Sequence, residues 1–183
     1  MFSKFKQTLK TDFNNKKKRL VSLYFLFLFL FFFIIFFLLF SKTFIYSYIN
    51  YFYGISSFFI IKNIFLISSS FVFDSLNNVS IILISSLNYP VFITFLCTGI
   101  LELSLIFSAI VSSFNFSIIK RLKGLFLALF VVIIFNIFRI SITIFIITKF
   151  NLGIANLMHG FLFRLFIIII VIGTYYFWTK KIK

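Results

Sequence analysis

"LVSLYFLFLFLFFFIIFFLLF" (Leu20–Phe40) holds no charged residue. At a rise of 1.5 Å per residue, a helix of this run reaches about 30 Å, the thickness of a bilayer's hydrocarbon core. Backbone groups in lipid must be satisfied within their own segment, so such a run is helical. It is too long for a signal-peptide core and lacks a small-residue cleavage site. It reads as a first transmembrane helix. The rest of the chain agrees. Of 183 residues, 62% are hydrophobic and 11% charged, whereas a soluble domain is about a quarter charged. The length suits one domain rather than two.

The formal net charge is +15, and its placement sets its meaning. Basic residues gather at the ends of apolar runs: "NNKKKRL" (Asn14–Leu20), "KRLKG" (Lys120–Gly124) and "KKIK" (Lys180–Lys183). That is the positive-inside pattern, with anionic lipid as the natural neighbour, and it argues against a nucleic-acid partner. The single cysteine excludes an internal disulfide and a multi-cysteine zinc cluster.

These signals divide the chain into four parts. Residues 1–19 form a basic cytoplasmic tail, and residues 20–40 the first transmembrane helix. Residues 41–96 hold an interfacial helix and an extracytoplasmic hairpin. Residues 97–183 form a three-helix core ending in a second cytoplasmic tail. In the second segment, "FIYSYINYFYGISSFFIIKNIFL" (Phe44–Leu66) is apolar but interrupted by tyrosines, serines, Asn50 and Lys62. Such a helix favours the interface, with a true span as the alternative. In "VSIILISSLNYPVFITFL" (Val79–Leu96), two β-branched runs flank the turn-forming "SSLNYP", which predicts a short hairpin, with an irregular loop as the alternative. The core helices are expected over 97–119, 125–148 and 157–178. With both basic clusters inside, residues 41–96 must cross the membrane zero times or twice. The fold expected is an all-α multipass transmembrane bundle with an interfacial helix and a small extracytoplasmic β-hairpin.

Ionisable groups inside spans cost about 2.5–3.5 kcal/mol each on insertion scales, so the few present carry weight. Cys97 is the only cysteine and His159 the only histidine. A thiol at the outer head of a helix feels the helix dipole, which favours the nucleophilic thiolate, and Gly99 lets a substrate approach the backbone. Asn136 and Arg139 lie three apart on one helix face. Arg139 needs an acceptor, and Glu102 is the carboxylate at membrane depth, so an Arg139–Glu102 pair is expected. Alternatively, Arg139 supports the thiolate or an oxyanion. An unperturbed imidazole has its pKa near neutrality, so His159 suits proton transfer, and Arg164 follows on the same helix. A thiol, a guanidinium and an imidazole on three consecutive helices compose the set that cysteine acyl transfer needs.

At these residues the chain resembles the archaeosortase/exosortase family. "CTGI" (Cys97–Ile100) matches a C-[ST]-G-[IL] motif, "NIFRI" (Asn136–Ile140) an N-x-x-R-[IL] motif, and "MHGFLFR" (Met158–Arg164) the opening of a last helix. The resemblance spans roughly residues 75–178. It implies a sorting transpeptidase of the plasma membrane, sortase-like by convergence, with both termini cytoplasmic and its site at the extracytoplasmic face. The implied substrates are secreted proteins ending in a short motif, a transmembrane helix and a basic tail. Cys97 forms a thioester, which a lipid or glycan acceptor resolves. Arg139 supports the charge, and His159 or Arg164 fills the third position. The resemblance implies no metal and no organic cofactor. The competing reading is a non-enzymatic membrane protein, a transporter subunit or assembly factor, with Glu102, Asn136 and Arg139 as interhelical polar glue.

Overall fold

The computed structural model describes residues 16–42, 44–87, 89–150 and 152–181. The expected cytoplasmic tail up to residue 15 lies outside the described residues. Helix α1 (Lys16–Lys42) contains the whole opening run. Its phenylalanines stack four apart, as in Phe25–Phe29–Phe33, because residues at that spacing share one helix face.

Helix α2 (Phe44–Asn63) carries the sheet. Three antiparallel strands follow in the order β1 (Ser69–Asp74), β2 (Val79–Ile84) and β3 (Val91–Ile93). The expected hairpin is therefore the second half of a larger sheet. β1 is not evident from sequence because "SSFVFD" opens on two serines and holds a single β-branched residue, Val72, rather than a β-branched run. Alternation decides which face packs. Ser80, Ile82 and Ile84 of β2 are buried, and Phe71 of β1 meets Tyr51 and Phe58 of α2. Asn50 fastens helix to sheet. Its Nδ2 donates to the Ile93 carbonyl at 2.7 Å, and its Oδ1 accepts from the Ser80 amide at 2.8 Å. Ser80 and Ile93 face each other across the ladder, so a side-chain amide adds one rung.

The core helices differ from the expected boundaries. Cys97 ends a short 3-10 turn, Phe95–Cys97. Gly99, at φ 67°, then breaks the chain direction, and α3 runs only from Ile100 to Val111. A left-handed residue cannot sit inside a right-handed helix, so the helix cannot begin at Cys97. The polar stretch Ser112–Ser117 ends it. "KRLKG" therefore opens α4 (Ile118–Lys149) rather than closing α3. The chain returns through α5 (Leu152–Leu157), a wide π turn (Met158–Leu162) and α6 (Phe163–Lys181).

Among the described residues, four segments are long and apolar enough to cross a membrane: Leu20–Ser41, Phe44–Asn63, Ile118–Lys149 and Gly153–Lys181. They make this a helical bundle of membrane-protein character. α3 is too short to be counted with them, yet it runs antiparallel alongside α1. Phe36 and Phe40 meet Phe107, and Tyr24 stacks on Phe114. The Trp178 indole donates to the Lys120 carbonyl at 2.8 Å and packs where Gly124 leaves room. The ends bearing Lys120, Arg121, Lys123, Lys180 and Lys181 thus gather at one end of the bundle, with the start of α1.

Two apolar cores share α4. One joins Ile140 and Ile144 to α2 and the sheet. The other joins Ala128 and Val132 to α3 and Trp178. Cys97 packs at the edge of the first.

Candidate functional site

The turn bearing Cys97 is built locally. Its amide donates to the Thr94 carbonyl at 2.9 Å, and the Thr98 amide and hydroxyl both bond the Phe95 carbonyl. The thiol therefore projects from a closed turn just before α3. It lies 3.6 Å from Thr94 Oγ1 and is partly buried.

The π turn before α6 brings a side chain to this turn. A π turn carries an extra residue relative to the α-helix around it and is frequent at functional sites. Here it contains His159, whose Nε2 lies 3.8 Å from Cys97 Sγ across 62 residues of sequence. The other ring nitrogen, Nδ1, lies 3.4 Å from Thr143 Oγ1. Thr143 stands one turn above Arg139 on α4 and bonds its carbonyl at 2.8 Å.

Arg139 is 3% exposed. Its Nη2 donates to the Leu96 carbonyl at 2.9 Å, which ties α4 to the residue before the thiol. The expected Arg139–Glu102 ion pair is absent among the described residues. Glu102 lies in the first turn of α3 and shares with Arg139 the wall of a cavity of about 570 Å³. The guanidinium is held by the turn that precedes the helix. The cavity is also lined by Thr94, His159 and an apolar strip from α3 and α6, including Leu105, Ile168 and Ile172.

Gly99 and Asn136 meet. A Cβ on Gly99 would overlap the Asn136 amide. Asn136 is fully buried and donates to the Val132 carbonyl at 2.9 Å. The two motifs "CTGI" and "NIFRI" are thus adjacent in space. Arg164 lies at the start of α6, and its side chain lies outside the described residues.

The structure therefore brings Cys97, Arg139 and His159 together, with Gly99 and Asn136 behind them and Glu102 across the cavity. No family model matches the chain. No curated protein and no solved structure matches it either. The arrangement therefore has to be read from its own chemistry. A thiol and an imidazole at hydrogen-bond range can exchange a proton, and a nearby guanidinium can compensate negative charge. Among the described residues no cluster of three or more His, Cys, Asp or Glu could hold a metal ion. Thr94 and Thr143 were missed by sequence reading. Thr143 had one signal: with Asn136 and Arg139 it falls at i, i+3 and i+7 on one helix face.

Proposed function

We propose that the protein is a membrane-embedded cysteine transpeptidase that sorts secreted proteins, as its resemblance to the archaeosortase/exosortase family implies. The observation that carries the reading is the 3.8 Å approach of Cys97 Sγ to His159 Nε2 beside the cavity that Arg139 lines. The thiol proton passes to Nε2 while Sγ attacks a substrate carbonyl carbon. Arg139, on the cavity wall, compensates the oxyanion. Collapse breaks the C–N bond, and the leaving amine takes the proton from His159. An amine or hydroxyl of a lipid or glycan then attacks the thioester, and the proton returns by the same route to restore the thiol.

The cavity's strip on α3 and α6 suits the transmembrane helix of a substrate, since docking there orients the scissile bond beside the thiol. Orientation follows from charge. The basic ends gather at one end of the bundle, and Arg139 lies 19 residues beyond Lys120 on α4, or about 28 Å at helical rise. With the basic end cytoplasmic, the thiol and the sheet face outside.

The test is a tagged secreted protein carrying a C-terminal motif, helix and basic tail, co-expressed with each variant. Cys97→Ser is expected to abolish processing while the enzyme still inserts in the membrane. Normal processing by that variant would overturn the reading. A free carboxylate at the product's new C-terminus would mark hydrolysis instead of transfer.

A further inference from the structure

We infer that Thr143 is a positioning residue that fixes which ring nitrogen of His159 faces the thiol as an acceptor. The inference rests on the cysteine–histidine reading above and adds a member to it. A threonine hydroxyl has one hydrogen to give. Thr143 gives it to the Arg139 carbonyl at 2.8 Å. Its oxygen can then only accept, and His159 Nδ1 lies 3.4 Å away. The proton of the neutral ring therefore belongs on Nδ1. Nε2 then carries no proton and lies 3.8 Å from Cys97 Sγ, which is the tautomer a general base needs.

When the thiol proton arrives at Nε2, the ring carries both protons and Thr143 still accepts from Nδ1. No bond has to be remade between the two states. The orienting group is thus a neutral hydroxyl on α4, in the place where a carboxylate or amide often stands. Because Thr143 bonds to Arg139, one helical turn sets both the cation and the base. A neutral partner also avoids placing a further carboxylate at membrane depth, where charge is costly.

The test needs no substrate. The rate of Cys97 alkylation by iodoacetamide is measured against pH in the full-length protein. The variants are Thr143→Val, Thr143→Ser and His159→Gln. Arg139 and Glu102 on the cavity wall, and Tyr46 within electrostatic reach of Cys97, are unchanged in all three. Thr143→Val is expected to slow alkylation at neutral pH about fivefold, the effect of one ordinary hydrogen bond, and to move the profile toward alkaline pH. Thr143→Ser is expected to restore both. If Thr143→Val matches the parent while His159→Gln slows the reaction, the inference about Thr143 is wrong and the pair stands. If His159→Gln also leaves the profile unmoved, the cysteine–histidine reading itself fails. Should Thr143→Val not fold, Thr143→Ala takes its place against the same serine control.

Discussion

Gly99 is glycine for two separate reasons. Its φ of 67° strains any residue with a side chain, by about 1–3 kcal/mol. Its α-carbon also lies where a methyl group would overlap the Asn136 amide, and crowding of that kind costs about 1–3 kcal/mol. Gly99→Ala is therefore expected to destabilise the protein by roughly 2–6 kcal/mol. Unfolding in mixed micelles measures this, and an unchanged midpoint would count against both causes. Cys97, Arg139 and His159 were legible in the sequence because each is a rare type in an apolar setting. Thr143 and Thr94 were not, because hydroxyl residues are scattered along the whole chain. Nor was the bond from Arg139 to the Leu96 carbonyl legible. The guanidinium bonds a backbone carbonyl, and a carbonyl leaves no mark in a sequence.

Between β1 and β2 the chain turns on Asp74. Its Oδ1 accepts from the amides of Leu76 and Asn77, and its Oδ2 from the Asn77 side chain. These bonds, that from the Asn77 side chain foremost, hold the carboxyl below its usual range. A group whose folded value is depressed stabilises above its unfolded value, about pH 4, and loses that contribution as pH falls through the lower folded value. Hydrogen exchange at residues 74–79, corrected for intrinsic rate, is expected to rise on acidification through that window. Asp74→Asn, which keeps an acceptor but does not titrate there, is expected to flatten the response. Of the elements, the long apolar helices were legible because length and composition alone decide them. α3 was not, because its limits are set by Gly99 and by a polar stretch rather than by any change in hydropathy. The π turn has no sequence signature here, yet it carries His159 to the thiol.

At the scale of the whole molecule, composition and geometry choose different partners for α1. Composition counts α2 among the segments able to cross and leaves out α3. Geometry lays α3 antiparallel to α1 and gathers the basic ends together, and with those ends cytoplasmic the sheet is expected outside. Leu76, 91% exposed at the tip of the first hairpin, reports on this directly. In a Cys97→Ser background, Leu76→Cys is expected to react with a membrane-impermeant maleimide in intact cells. Labelling that waits for permeabilisation would reverse the orientation. In that orientation, the 12 residues of α3 span only about 18 Å, well short of a hydrocarbon core. The backbone just beyond Val111 would meet the acyl chains without a helical ladder of its own. Arg121 meets part of that need by bonding the carbonyls of Val111 and Phe116, and Tyr24 of α1 covers Phe114. What remains is a hydrophobic mismatch, which lipid relieves by thinning. Thinning of that kind would leave a dimple beside α3, and under the proposed function a substrate helix entering there would meet the thiol across a shorter stretch of oil than it crosses elsewhere.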